Sequence, residues 1–306
     1  MRRQISRSIT LFSMFMFSFL LIAIFSSLVI DKNERNSSDA VLLSQRIQGV
    51  NLNRSFGFAG EALPTDNFDV LERLDRELLV NAYSHATTLL NIKHSKRYFP
   101  VFERILAAHG IPDDFKYLAV AESNFRFGTS SAGAKGLWQF MSGTAKGYGL
   151  EISDDVDERL HVEKSTEAAC KLLLDYKKRF GTWMLAATAY NFGETRMAKE
   201  LEAQRSNSFF DLNLNTETSR YLFRIIAIKE IMSNPETYGY AIEEEQFYQP
   251  LNDYKVVEVS TTINNLSAWA ADQGVSYRML KLYNPWLLNS KLLVKPGKTY
   301  KVKLPV

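Results

Sequence analysis

Residues 113–139 read DDFKYLAVAESNFRFGTSSAGAKGLWQ, and the fold turns on how that stretch is folded. Placed on a helix that starts near Asp113, the residues Phe115, Leu118, Ala119 and Glu122 recur at i, i+3, i+4 and i+7 and share one face. The first three are apolar, so Glu122 is a carboxylate on a stripe predicted to meet a core. SNFRFGTSSAG, which follows, is loop chemistry, and Glu122 therefore falls at the helix end. Burial disfavours the charged form of a carboxyl group. The partial negative charge of a helix C-terminus acts in the same direction. Both raise its pKa toward the range a general acid needs near neutral pH. Against this, most glutamates near helix ends are simply solvated, and the rest of the chain must decide.

Upstream, helical periodicity begins at about Asn67. Val70, Leu71, Leu74 and Leu78 mark one face, followed by Leu89 and Leu90. A further short helix is predicted over Tyr98 to His109, ending at Gly110, with Pro112 opening the next. Downstream, Ser165 and Thr166 suit helix N-caps, and Glu167 suits the first turn. Ala169, Leu172, Leu173, Tyr176 and Phe180 then trace an apolar stripe broken by Gly181. Thr182 can cap a helix over Trp183–Asn191, and Glu194–Gln204 continues beyond Gly193. The last long helix is expected over about Thr218–Ser233. Alternating strands are absent from this pattern, so residues 67–234 are read as an all-helical domain.

After a linker at 235–251 the pattern changes. YKVVEV (254–259) and KTYKVKL (298–304) alternate like strands. Leu266–Gln273 and Tyr277–Tyr283 read as short helices between them. Residues 252–306 are thus expected to form a small, separate β-α-α-β module, and the whole chain is mainly α.

At the other end, residues 1–31 read as a targeting segment. Arg2, Arg3 and Arg7 precede an uncharged apolar run from Ile9 to Ile30, and roughly 20 apolar residues suffice to cross a bilayer. The run is long for a signal peptide and lacks an A-x-A cleavage pattern, which favours an uncleaved anchor over cleavage after Ser26 or Ser27. The basic flank favours a cytoplasmic N-terminus with the rest of the chain outside. Residues 32–66, rich in Asn, Ser, Asp and Gly, read as a linker or loosely packed lead-in.

Composition excludes several classes. The 306 residues leave room for one large domain or two ordinary ones. A net charge of +3, from 37 basic and 34 acidic residues, does not call for nucleic acid. The single cysteine, Cys170, rules out an internal disulfide and a cysteine-based zinc site. The four histidines have no HExxH-type spacing, and no metal or other cofactor is implied. Gly128–Lys135 resembles a phosphate loop only superficially, because Lys135 follows Ala134 and no Ser or Thr comes next.

Four short motifs, in order, carry a resemblance. They are Glu122-Ser123, then Gly136-Leu137-Trp138-Gln139, then Ala189-Tyr190-Asn191-Phe192-Gly193-Glu194, and Tyr221 within ETSRYLFRII. Together they resemble the lytic transglycosylases of the goose-type lysozyme superfamily, most of all the membrane-bound lytic murein transglycosylase D group. The likeness covers about Leu78 to Ser233. It implies a lysozyme-like helical fold with a glycan cleft. It implies cleavage of the β-1,4 bond between N-acetylmuramic acid and N-acetylglucosamine in peptidoglycan, with formation of a 1,6-anhydro ring. By that resemblance Glu122 is the single acid and base, Ser130 helps orient it and the bound sugar, and Gln139, Tyr190, Asn191 and Tyr221 line the cleft. Amides and hydroxyls suit sugar hydroxyls and acetamido groups, and aromatic faces suit sugar rings. Trp138 is read as core. Where relatives often carry Asp, this chain has His161.

Residues 254–285 and 295–305 resemble a LysM domain, with Ser260-Thr261 in place of the usual Gly-Asp. The resemblance implies a second hold on wall glycan. The expected partners are peptidoglycan strands and, through the N-terminal segment, a membrane; the expected place is the periplasmic side of the cell envelope. Two other outcomes stay open at this stage. A hydrolytic lysozyme could draw a second carboxylate from Asp154, Asp155 or Asp157, and a non-catalytic wall-binding protein would use none.

Overall fold

Helix α1, Phe68–Ala82, starts where the Asn67 side chain accepts the Asp69 N–H. A computed structural model describes residues 48–306. The segment read as an anchor or signal peptide, and residues 32–47 of the linker that follows it, lie outside the described residues. Residues 50–306 form one unit. Val70, Leu74 and Leu78 of α1 are fully buried against the last long helix of the bundle, described below.

Helix α2, His85–Ala108, runs without interruption through Pro100. The separate short helix expected from Tyr98 is therefore the second half of a longer one. Phe102, Ile105 and Leu106 are buried as read, whereas Leu89 and Leu90 face solvent. Helix α3, Phe115–Ser123, is the element that carries Glu122. Every residue from Phe115 to Val120 is buried, so α3 has no wet face over most of its length and is a central helix rather than an amphipathic surface one. Only Ala121 and Glu122 are partly exposed, which marks where the core opens.

A short helix α4, Ser142–Gly147, precedes an acidic loop over residues 153–158. Helix α5, Val162–Phe180, begins at least four residues earlier than its expected caps, Ser165 and Thr166, imply. Ser165 and Thr166 are buried inside it and donate to the Val162 carbonyl. The physical reason is the single helical turn Glu158–Leu160, which feeds the chain directly into α5 through His161. Helix α6, Trp183–Phe192, is capped by Thr182, whose Oγ1 accepts the Leu185 N–H at 3.1 Å. Helices α7, Glu194–Ala203, and α8, Thr216–Ser233, complete the bundle. Helix α8 packs against α1, α3 and α6 and is the spine of the core.

The described part of the 32–66 segment is not a loose tether. Strands β1, Gly57–Phe58, and β2, Glu61–Ala62, form a tight hairpin, and Phe56, Phe58 and Leu63 are buried. The Phe58 ring meets Phe115 edge-on at 5.0 Å. The Glu61 carboxylate accepts the N–H groups of Trp183 and Met184 at 2.6 and 2.9 Å, an anion on a helix N-terminus. The 235–251 stretch is likewise docked. Tyr248 donates its N–H to the Lys93 carbonyl, Arg97 donates to the Gln249 carbonyl, and Tyr240 is buried.

In the C-terminal module, β3, Tyr254–Val259, pairs antiparallel with β4, Tyr300–Pro305, from Tyr254 opposite Pro305 to Val259 opposite Tyr300. Helices α9, Leu266–Asp272, and α10, Tyr277–Tyr283, are capped by Asn265 and Ser276 and pack on the hairpin. The β-α-α-β order agrees with the alternation and turn signals. Its expected separateness does not survive, because Val156 of the acidic loop and Leu160 of the helical turn after it sit in the module's own buried cluster. The Asp155 carboxylate accepts the Asn289 side chain at 2.9 Å and the Leu293 N–H at 3.1 Å. Glu151 accepts the Tyr300 hydroxyl and pairs with Lys298.

Candidate active site

The acid is held by the way its own helix ends. Ser123 Oγ donates to the Ala119 carbonyl and accepts the Phe125 N–H, at 3.0 and 3.1 Å. Asn124 and Phe125 then both take left-handed backbone conformations, with φ of 47° and 57°. Such conformations are costly for residues with a Cβ and persist only when the surroundings fix them. Here Asn91 of α2 donates to the Asn124 side chain at 2.9 Å, and Phe125 is buried against Tyr98, with ring centroids 5.3 Å apart. The chain reverses sharply, and Glu122 is left at the rim of the core.

Three further elements close on it. From α8, the Tyr221 hydroxyl donates to Glu122 Oε1. From α6, Tyr190 lies close enough to Glu122 for its own hydroxyl to be pushed far above its ordinary pKa, first by burial and then by that carboxylate. The Tyr190 hydroxyl donates to the Trp138 carbonyl at 2.7 Å, which ties the loop after α3 into the same cluster. Trp138 itself is fully buried, with its indole N–H on Thr166 Oγ1 at 2.9 Å, so it is core, as read.

The loop itself depends on Gly136. Its φ is +85°, and a Cβ there would lie 1.9 Å from the Arg159 carbonyl oxygen. Arg159 in turn donates to the carbonyls of Gly133 and Phe140 at 3.0 and 3.1 Å. Gln139, with φ of 46°, donates its side-chain amide to the Gly136 carbonyl at 2.8 Å. Ser130 is exposed, and its Oγ accepts the Ala134 N–H at 3.0 Å. Asn191 is exposed on α6. The structure therefore brings Glu122, Tyr190 and Tyr221 together directly. Gln139 is bound up in the loop, and Ser130 and Asn191 stand at the surface.

Burial raises the Glu122 carboxyl from 4.5 to about 7, against the hydrogen bond from Tyr221 and the nearby Arg224, both of which lower it; Glu217 adds a smaller push upward. Arg224, Glu217 and Glu77 are participants that sequence reading missed. Arg224 pairs with Glu217 at 3.1 Å and approaches the fully buried Glu77 at 3.9 Å. Glu77 also accepts from Arg220 at 2.6 Å. The signal was available: Glu77 lies seven residues after Val70 and three after Leu74, an acid on an apolar stripe.

Of the three candidate carboxylates in the acidic loop, Asp154 is exposed and, among the described residues, bound only through its backbone carbonyl, which accepts the Asn289 side chain, and the other two are engaged. Asp157 is buried between Arg159, at 2.8 Å, and Lys135, at 3.2 Å, and these cations hold it below its ordinary range although burial opposes them. Asp155 is bound to the C-terminal module as described. His161, the departure from the family pattern, stacks on Trp286 of that module at 5.8 Å, so it belongs to the seam and not to the acid. Among the described residues no group of three His, Cys, Asp or Glu is placed to hold a metal.

Residues 100–213 match the transglycosylase SLT domain family, and residues 255–306 match the soluble lytic transglycosylase C-terminal LysM-like domain. Membrane-bound lytic murein transglycosylase D of Escherichia coli K12 is 29% identical over 247 residues, covering 78% of this chain and 53% of that relative. The chain thus spans about half the length of that relative. The peptidoglycan transglycosylase gp16 of Escherichia phage T7 is 32% identical over 149 residues, covering 46% of this chain and 11% of that protein. The 70 kDa soluble lytic transglycosylase Slt70 of E. coli aligns with a TM-score of 0.40 and 18% identity, covering 57% of this chain and 33% of Slt70. The chain carries a transglycosylase SLT domain, with a LysM-like domain behind it.

Proposed function

We propose that this chain is a peptidoglycan lytic transglycosylase, cleaving the MurNAc-β-1,4-GlcNAc bond without water and leaving a 1,6-anhydro-MurNAc end, with Glu122 as the single general acid and base. The observation that carries it is a carboxyl raised to about 7 by burial, at the point where all four motifs meet. Near neutral pH such a group is populated in both protonation states, as a group that first gives and then takes a proton requires.

In the first step Glu122 donates its proton to the glycosidic oxygen, and the bond to C1 of the muramoyl sugar breaks. In the second, the carboxylate takes the proton of the C6 hydroxyl as that oxygen bonds to C1, and the acid is restored. Tyr221 donates to the carboxylate between the two steps and stabilises the charged form. Tyr190 packs beside the pair and braces it through Trp138. Ser130, Gln139 and Asn191 are assigned to the glycan on the surrounding rim.

A hydrolytic lysozyme would need a second carboxylate to hold or activate water. Asp155 and Asp157 are bound elsewhere and Glu217 is paired with Arg224, which favours the one-carboxylate route and leaves the exposed Asp154 as the rival's remaining candidate. The LysM-like module supplies a second glycan contact at a fixed geometry, because it is docked on the acidic loop. A place at the cell envelope follows from the substrate, and membrane attachment through residues 1–31 is part of the same proposal. Mass spectrometry of digested peptidoglycan tests the reading. Anhydro ends are expected from the wild type and not from Glu122→Gln, and hydrated reducing ends alone would refute it.

A further inference from the structure

A second opening lies away from Glu122. It is a cleft of about 280 Å³ on the seam between α2 and the C-terminal module. None of Glu122, Gln139, Tyr190, Asn191 or Tyr221 lines it. One wall carries Arg97, Tyr98 and Arg104 from α2; the other carries Tyr254 and Lys303 from the module. Phe127, on the chain leaving Glu122, also lines it and meets the Tyr98 ring at 6.0 Å. An apolar and aromatic cavity at a domain seam, with a few converging polar groups, is the usual make-up of a ligand site.

The charges select the ligand. Lys303 is neutralised by Glu163 and lies over the Tyr254 ring at 4.7 Å. Arg97 uses Nε on the Gln249 carbonyl, also hydrogen-bonds the Tyr98 hydroxyl and lies over the Tyr248 ring at 5.6 Å, but among the described residues it has no carboxylate partner. Arg104 is exposed, and among the described residues its side chain has no hydrogen-bond or ion-pair partner. Two guanidinium groups thus line a partly aromatic cleft with no carboxylate paired to either among the described residues. Planar forks of this kind recognise carboxylates in a bidentate way. Murein glycan carries short peptides that end in free carboxylates, and both modules that form the seam are assigned to that polymer.

We infer that the seam cleft binds a carboxylate-bearing stem peptide of murein, with Arg97 and Arg104 taking the carboxylates and the aromatic floor taking the peptide's apolar side. The inference rests on the proposed murein substrate and deepens it, since the two modules would then read peptide as well as glycan. Phe127 joins this cleft to the loop that leaves Glu122, so peptide occupancy and the acid share one segment of chain.

The test is calorimetric binding to the full chain, which needs no turnover and so fails or succeeds separately from the cleavage assay. The probes are the free tetrapeptide L-Ala-γ-D-Glu-diaminopimelate-D-Ala and the same peptide with its carboxylates amidated. The free peptide is expected to bind the wild type and Glu122→Gln alike. The amidated peptide, and the free peptide on Arg104→Glu or Arg97→Gln, are expected to bind at least tenfold more weakly. No binding of the free peptide, equal binding of the amidated one, or unchanged affinity in both arginine variants would overturn the site. Peptide binding by a chain that cleaves no glycan would support the site and refute the enzyme.

Discussion

The Tyr221 hydroxyl donates to the Glu122 carboxylate from the facing helix, and this one bond sets the balance between two opposed effects. Burial drives the carboxyl up, and the tyrosine, with Arg224 behind it, draws it back. The net position, about 7, lies where a single group can act as both acid and base.

Cleavage should therefore depend on pH through Glu122. The first step needs the protonated acid, so kcat/KM is expected to fall as pH rises through about 7. Initial rates on purified murein between pH 5 and pH 9 measure this. A profile flat across that range would place the acid elsewhere.

Tyr221→Phe removes the donor while keeping the buried ring. A hydrogen bond to a charged group contributes about 1.5–3 kcal/mol, and one pKa unit corresponds to about 1.4 kcal/mol. Loss of the bond raises the Glu122 pKa further, so the alkaline limb should move up by about one unit or more. Turnover on the plateau should also fall by roughly tenfold or more, because the carboxyl is no longer aimed. A drop in rate with an unmoved limb would make Tyr221 a glycan contact only.

The same shift has a sign in stability. The folded pKa of Glu122 is above its unfolded value, so its contribution is present below about 4.5 and lost as pH rises through about 7. Glu122→Gln cannot ionise and escapes that loss. It should be more stable than the wild type at pH 8 by up to about 3 kcal/mol, with the gap nearly closed at pH 4.5. Urea denaturation of both proteins at the two pH values checks it, and an equal difference at both would mean that Glu122 titrates normally.

Much of this site was legible from spacing because the bundle is built from ordinary helices with ordinary ends. Thr182, Asn265 and Ser276 cap where their chemistry says they should. What failed did so for identifiable reasons. The spacing starts a separate short helix at Tyr98, whereas residues 85–108 form one helix whose buried residues continue on both sides of Pro100. Ser165 and Thr166 have capping side chains yet bond backward within α5. The 50–63 segment carries Val50, Leu52, Phe56 and Phe58 at alternate positions, a strand-like signal hidden by the polar composition of the stretch around it, and Phe56 and Phe58 fill the core. Docking of the C-terminal module rests on Asp155 and Glu151, whose partners lie more than a hundred residues away, beyond the reach of local pattern.

Gly136 tests whether the loop after Glu122 is held by backbone contact. A methyl group there would sit 1.9 Å from the Arg159 carbonyl at a φ that disfavours any Cβ. Gly136→Ala should cost roughly 3 kcal/mol or more, whereas Gly133→Ala, with open space at a similar φ, should cost about 1 kcal/mol. Thermal denaturation of the two variants side by side makes the comparison, and equal costs would show that φ alone matters.

Asp155 tests whether the LysM-like module is fastened rather than tethered. Its carboxylate accepts from the Asn289 side chain and the Leu293 N–H, and its own carbonyl accepts the Leu288 N–H. Asp155→Ala removes the two side-chain bonds of a buried carboxylate and leaves the Leu293 amide without its acceptor, at a cost of about 1.5–3 kcal/mol. Local opening at the seam should then precede global unfolding. Hydrogen exchange is the direct measurement. The Leu293 amide should exchange at least tenfold faster in the variant, while amides of α3 and α8 keep their wild-type rates. Uniform acceleration across α3, α8 and the module would mean that the docking loop is part of the common core and not a latch upon it.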